Sequence, residues 1–269
     1  MPENKTSQFA AELNVLRDAV AEAGDLAASM FKSGVETWDK SDKTPITEAD
    51  LAVNDLLHDR LTKARPDYGW LSEETADDEL RLGRQRTWVV DPIDGTRGFV
   101  RGTDQWCVCA GLVENGVAIA GVIAQPLARQ FYEASSGAGA FVNGQPIHTL
   151  NDDCIAGCHI IMHDDLRRSK KWHAPWPELK VSMSTSMALR LCNVAAGQAD
   201  ATIAISGKSD WDLAAADILV HEAGGKVTGL SGNHLVYNQP STRHHGVVAA
   251  GEKMHSALLE RTRNWKKDI

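Results

Sequence analysis

Residues 88–99 read WVVDPIDGTRGF. Trp88-Val89-Val90 is a run of strand formers. It ends in Asp91 and Asp94, three residues apart with Pro92 between them, and then in Gly95-Thr96. A continuous apolar run of this length reads as a strand covered on both faces. The pattern predicts a buried strand whose end presents two carboxylates and then turns sharply. Oxygen ligands in that setting suit hard divalent cations, and a glycine turn leaves backbone N–H groups to cradle an oxyanion. Metal-assisted phosphate chemistry is therefore the first expectation.

The chain has 269 residues, 43% hydrophobic and 24% charged, with a formal net charge of −8. That is core material for one large domain or two modest ones. The acidic balance argues against nucleic-acid or anionic-membrane partners, which need a basic surface. A small anionic substrate stays open, because bound metal reverses the local sign. The N-terminus lacks the basic and apolar regions of a signal peptide, and the longest apolar run, 117–124, is too short to span a bilayer. A cytoplasmic setting is expected. The five cysteines form no CxxC pair and read as buried thiols. The histidines show no HExxH pattern and read as surface or satisfied residues.

Residues 7–32 carry apolar positions at helical spacing, from Phe9 to Met30. Residues 33–44 read as a polar loop with a mobile tip. Pro45 sits near the start of a second helix that ends before Pro66, and Thr47-x-x-Asp50 resembles a capping box. Strands are expected at 87–91, 106–113, 117–125, 130–134 and 139–142, with short turns that favour an antiparallel sheet. The second half interleaves strands (157–162, 179–182, 200–205, 225–228, 246–250) with helices (185–197, 211–223, 252–264), which suggests an α/β layer. The expected division is 1–148, an α+β domain, and 149–269, a smaller α/β domain.

Four acidic sites stand out: Thr47-Glu48-Ala49-Asp50, Ser72-Glu73-Glu74, Asp91-Pro92-Ile93-Asp94-Gly95-Thr96 and Asp210-Trp211-Asp212. Each alone has an ordinary reading. Asp-Gly makes a turn, Glu-Glu a solvated pair, and Asp at a helix start a cap or a dipole partner. Three of the four end or follow apolar strand-like residues or open a helix, where α/β proteins build sites.

In this order, TEAD (47–50), SEE (72–74), WVVDPIDGT (88–96) and WDLAAADILVHEAGG (211–225) resemble the inositol monophosphatase superfamily, over roughly residues 10–255. The resemblance implies a layered α-β-α-β-α sandwich and a Mg²⁺-dependent, lithium-sensitive phosphomonoesterase, Mn²⁺ being a possible substitute. It implies two to three ions. Glu73, Asp91 and the Ile93 carbonyl would bind the first, and Asp91, Asp94 and Asp212 the second, with a weaker third near Glu73. Gly95 and Thr96 would offer N–H groups to the phosphate. Asp50 would pair with the Thr96 hydroxyl to orient water, so Glu73, Asp50 and Thr96 are the candidate catalytic residues. A homodimer is implied as well. The four ligand charges match two divalent ions, and an arriving phosphate dianion then favours a further cation.

The metal core does not discriminate among substrates. Inositol-specific members often carry a Glu seven residues before the WD aspartate, where this chain has Ile205, and Thr after DGT, where it has Arg97. Arg97 suits a second phosphate. Lys40 and Lys43 lie on the loop before TEAD, and Lys208 is placed to reach the sugar side. The preferred substrate is a 3′(2′),5′-bisphosphate nucleotide such as 3′-phosphoadenosine 5′-phosphate. Inositol monophosphate, then histidinol phosphate, follow. A non-catalytic binding protein on the same fold would lack an essential acid, and none is missing. A calcium-binding structural protein would hold its acids in one local loop, whereas these spread from 50 to 212.

Overall fold

The computed structural model describes residues 8–41, 44–263 and 265. Helix α1 (Ala10–Ser33) buries the stripe Leu16, Ala19, Val20, Ala23 and Ala27. Strands β1 (Thr37–Asp39) and β2 (Pro45–Thr47) form a small antiparallel ribbon, pairing Trp38 with Ile46. This corrects the expectation of a bare loop over 33–44. All three residues of β1 are exposed, so no apolar alternation marked it. Pro45 likewise lies in β2, and α2 (Glu48–Ala64) starts after it, capped by Thr47. The Thr47 backbone N–H donates to Asp50 Oδ2 at 2.8 Å, and Thr47 Oγ1 accepts from the Ala49 N–H at 3.2 Å.

Then follow β3 (Gly69–Ser72), a 3₁₀ turn at Leu80–Gly83, β4 (Arg86–Asp94) and the short α3 (Thr96–Val100). Strands β5 (Cys107–Glu114), β6 (Val117–Gln125), β7 (Gln130–Ser135), β8 (Gly139–Val142) and β9 (Gln145–Pro146) complete a seven-stranded sheet in order β3-β4-β5-β6-β7-β8-β9. It is antiparallel except that β3 runs parallel to β4. Its second half continues as β10 (His159–Ile161), α4 (Asp164–Arg167), β11 (Lys180–Ser182), α5 (Met187–Ala195), β12 (Ala201–Ala204), β13 (Lys208–Ser209), α6 (Asp210–Glu222), β14 (Gly225–Thr228), β15 (Arg243–His244), β16 (Val247–Gly251) and α7 (Glu252–Thr262). Strands β11-β10-β12-β16-β14 make a mixed five-stranded sheet, and β13 pairs β15.

The layers run α-β-α-β-α. Helices α1 and α2 cover one face of the large sheet, where Trp88, Val90, Val108, Ala110 and Val122 meet Leu16, Val20, Val53 and Leu57. Residues of opposite parity, Val89, Cys107, Cys109 and Ile123, face the middle layer of α5 and α6. Helix α7 closes the outer face of the small sheet through Met254 and Leu258. Strand β4 is thus buried on both sides, which is why it reads as one apolar run. Cys107, Cys109, Cys158 and Cys192 are buried as expected, but Cys154 is exposed, in a segment that forms no strand. Among the described residues no helix is long and apolar enough to cross a membrane.

The Ala214-Ala215-Ala216 run has a packing reason. Gly111 of β5 and Gly121 of β6 are register partners, and the α6 backbone lies directly on them. A Cβ at Gly121 would sit 2.1 Å from the Ala215 carbonyl oxygen, and one at Gly111 would sit 3.0 Å from the Ala215 nitrogen. Small residues on both sides let helix and sheet touch backbone to backbone. This contact seats the first turn of α6, with Asp212, over the end of β4. Replacing Gly121 with Ala should therefore overpack the joint and cost about 1–3 kcal/mol. Urea unfolding followed by tryptophan fluorescence checks this, and an unchanged midpoint would show that α6 does not rest there.

Candidate active site

Strand β4 delivers Asp91 and Asp94 on either side of a bulge that interrupts its pairing with β5. Helix α6 delivers Asp212 from its first turn, where Asp212 Oδ2 accepts the Ser209 N–H at 2.6 Å. One oxygen from each of Asp91, Asp94 and Asp212 lies within 4.8 Å of the others. Asp91 is 1% exposed, and its Oδ1 has no hydrogen-bond donor. A buried carboxylate oxygen without a donor is costly. Burial pushes the Asp91 carboxyl well above its ordinary range, and Glu73, Asp94 and Asp212 repel its charge further. The residues fit a divalent cation: the ligand atoms are oxygens, they converge, and one is orphaned.

Asp94 is held differently. Its Oδ2 accepts the Ser186 hydroxyl at 2.6 Å and the Ala188 N–H at 2.6 Å, and its Oδ1 accepts the Met187 N–H at 3.2 Å. The N-terminus of α5 thus fixes a carboxylate that lies 92 positions upstream of Ser186. Burial first, then Asp212, raises the Asp94 carboxyl to about 6, and the bonds from Ser186 and Ala188 oppose the rise. The expected helix over 185–197 put Ser186 inside it, whereas Ser186 is the N-cap of α5. Its second task, holding Asp94, had no local signal.

Glu73 follows β3, with its N–H bonded to the Val90 carbonyl at 3.3 Å. Lys40, from the ribbon of β1 and β2, donates to Glu73 Oε1 at 2.8 Å and to Glu74 Oε1 at 2.6 Å. Burial pulls the Lys40 ammonium down, but the two glutamates together hold it above its ordinary value. Asp50 stands behind the cavity. Its Oδ2 accepts from the Thr47 backbone and hydroxyl, at 2.8 and 2.6 Å. Thr96 Oγ1 lies 3.2 Å from Asp50 Oδ1 and 3.0 Å from the Ile93 carbonyl oxygen. One hydroxyl proton serves one of those acceptors at a time. Gly95 has φ 99°, and a Cβ there would meet the Gln105 carbonyl oxygen at 2.5 Å. Only glycine makes this turn.

Glu73, Asp91, Ile93, Asp94, Gly95, Thr96, Arg97, Lys208 and Asp212 line one cavity of about 200 Å³. Asp50 touches it through Thr96 and Lys40 through Glu73, whereas Lys43 lies outside the described residues. Asp210 is turned away. Its Oδ2 accepts the Asn238 N–H at 2.7 Å, and its Oδ1 meets His244 Nε2 at 2.7 Å, so it anchors loops rather than the cavity. A second cavity of about 500 Å³ opens alongside, sharing Arg97, Thr185 and Lys208 with the first. Arg190, which the sequence gave no reason to single out, lines it.

The crowded acids set a pH dependence. Asp94 binds its proton more tightly in the folded protein than in the unfolded chain, so the metal-free fold is favoured at low pH. That advantage is lost as pH rises from the ordinary 3.8 to about 6. Urea midpoints of chelated protein should fall across that window, less steeply in Asp94→Asn. Added divalent cation should flatten the slope. A chelated midpoint that rises across the window contradicts this.

Comparisons agree with the geometry. The model of the inositol monophosphatase family matches residues 10–266. A histidinol-phosphatase from Mycobacterium tuberculosis is 38% identical over 204 residues, 72% of this chain and 77% of that protein. An inositol-1-monophosphatase from Mesorhizobium japonicum is 32% identical over 260 residues, 92% of this chain and 94% of that one. The crystal structure of the extragenic suppressor protein suhB from Bartonella henselae superposes with a TM-score of 0.81 at 27% identity, covering 96% of this chain and all of that one. With its fold, its converging acids and a family match over nearly its whole length, the chain belongs to the inositol monophosphatase family and is a phosphomonoesterase.

Proposed function

We propose that this phosphomonoesterase is Mg²⁺-dependent and hydrolyses a small phosphate ester by direct attack of water. The observation that carries this is Asp91: buried, without a donor on Oδ1, and within 4.8 Å of oxygens of Asp94 and Asp212. An all-oxygen set selects hard cations, Mg²⁺ or its substitute Mn²⁺. Glu73, Asp91 and the Ile93 carbonyl would hold one ion, and Asp91, Asp94 and Asp212 a second. A weaker third near Glu73 would share that carboxylate with Lys40. Such ions would supply charge neutralisation and a more acidic water near neutral pH.

The remaining work falls to the chain. Asp50 orients the Thr96 hydroxyl, which aligns the attacking water together with Glu73. The N–H groups of Gly95 and Thr96 face the phosphate, which approaches closely because Gly95 has no side chain. Arg97 and Lys208 neutralise the bound anion at the cavity rim. Asp212 reaches the site from the 149–269 half and Asp91 from the 1–148 half, so the reaction sits where the two meet. A homodimer and lithium inhibition belong to the same reading, as the resemblance implies, and the cytoplasmic setting expected from the sequence is compatible with it.

The favoured substrate is a 3′(2′),5′-bisphosphate nucleotide such as 3′-phosphoadenosine 5′-phosphate. Arg97 stands on the wall shared by the two cavities, and Ile205 lines the larger one where an inositol hydroxyl would want a carboxylate. The similarity to a histidinol-phosphatase supports a second reading, histidinol phosphate. Assays of bisphosphate nucleotide, histidinol phosphate and inositol monophosphate with Mg²⁺ separate them, the nucleotide being expected to react fastest. Asp212→Asn should lower kcat by about a thousandfold or more, since it removes several kcal/mol of charge stabilisation. A fully active Asp212→Asn enzyme would sink the assignment.

A further inference from the structure

Strand β5 carries two cysteines two positions apart, Cys107 and Cys109. That spacing puts both side chains on one face of the strand, the face toward α5 and α6. In the sheet they sit directly opposite the acids: Cys107 is the register partner of Asp94, and Cys109 that of Asp91. Both thiols are buried. Their sulfurs lie 3.4 Å apart, and Cys107 Sγ lies 3.4 Å from Ser186 Oγ. Ser186 in turn donates to Asp94 Oδ2 at 2.6 Å. Among the described residues two groups of three metal-ligating side chains converge. One is Asp91, Asp94 and Asp212, and the other is Asp94, Cys107 and Cys109. In the second group too, one ligand atom from each residue lies within 4.8 Å of the others. Asp94 belongs to both.

The two groups suit different ions. Carboxylate oxygens select hard cations, whereas thiolate sulfur selects softer ones such as zinc. Geometry agrees with the second choice. Two thiolates bound at about 2.3 Å to a tetrahedral Zn²⁺ stand about 3.8 Å apart, so the sulfur pair has to open only slightly. Charge agrees as well. Thiols buried in apolar surroundings stay protonated and neutral. When a divalent cation enters, two S–H bonds break, two metal–sulfur bonds form and two protons leave to solvent. The resulting metal–dithiolate unit carries no net charge, which is the form that a buried position tolerates.

We propose that Cys107, Cys109 and one carboxylate oxygen of Asp94 form a separate site for a thiophilic divalent cation, Zn²⁺ or Cd²⁺, and that its occupation switches the phosphatase off. The switch rests on the phosphatase reading above, whereas the metal site stands on its own geometry. A carboxylate drawn toward the sulfurs is withdrawn from Asp91 and Asp212. A dication seated so near also repels a hard ion held by those acids. Inhibition then works through loss of the hard ion and not through competition with the phosphate ester.

The test titrates Cd²⁺ into the Mg²⁺-saturated Cys154→Ser protein, which lacks the exposed thiol. Sulfur-to-cadmium charge-transfer absorption should rise and saturate at one equivalent. Turnover of adenosine 3′,5′-bisphosphate, histidinol phosphate or inositol monophosphate, whichever reacts fastest, should fall in parallel by about tenfold or more, the scale of a disturbed metal ligand. Adding Cys109→Ser should leave the Mg²⁺-supported turnover in place, abolish the absorption at one equivalent and raise the Cd²⁺ needed for inhibition by about tenfold or more. If that variant does not fold, X-ray absorption of the Zn²⁺-loaded Cys154→Ser protein decides, with two sulfurs and at least one oxygen expected around the ion. An ion surrounded by oxygen and nitrogen alone, a titration without the absorption, or a Cys109→Ser protein that responds like its parent would overturn the inference. Absorption at one equivalent with turnover undiminished overturns the switch. Absorption in a protein that hydrolyses none of the three esters with Mg²⁺ supports the metal site and strikes the phosphatase reading instead.

Discussion

Mutual repulsion among buried carboxylates is the constraint on which this structure turns. Asp91 and Asp94 are buried, Asp212 is half-buried, their oxygens converge, and Glu73 adds to the same field. Nothing about these groups favours their meeting, so the scaffold has to impose it. A bulge at the end of β4 separates Asp91 from Asp94. The N-terminus of α5 grips Asp94 with two backbone N–H groups and the Ser186 hydroxyl. Backbone contact between α6 and the glycine pair of β5 and β6 fixes where Asp212 can be. Each is a packing or hydrogen-bonding device whose stabilisation offsets the repulsion. A cation then finds ligands already assembled and a field already negative.

The other consequence is polarity along the site. One end is acidic, the other basic, and Arg97 and Lys208 stand between them. The overall charge of the chain gives no hint of this, because the cavity inverts it locally.

The legibility of this site in sequence divides along a physical line. Asp50, Glu73, Asp91, Asp94 and Asp212 were readable because each sits beside a local signal: a capping spacing, an apolar strand ending, or a helix opening. The long elements were readable because their burial is periodic. The ribbon of β1 and β2 was not, since exposed three-residue strands carry no pattern. The exposure of Cys154 was missed for the complementary reason, its neighbours being too few to distinguish a strand from a loop. Ser186 was missed because its partner, Asp94, lies 92 positions away in the chain. The alanine run of α6 was read as part of a motif, but its reason, two paired glycines more than ninety residues upstream, appears only in three dimensions.

The central claim is that these carboxylates exist to gather hard divalent cations. Calorimetric titration of the chelator-stripped protein with Mn²⁺, with Asp91→Asn beside the wild type, tests it most directly. At least two bound ions are expected in the wild type. In Asp91→Asn loss of the tight binding is expected, because both proposed ligand sets include that carboxylate. Equal stoichiometry and affinity in the two proteins would contradict it.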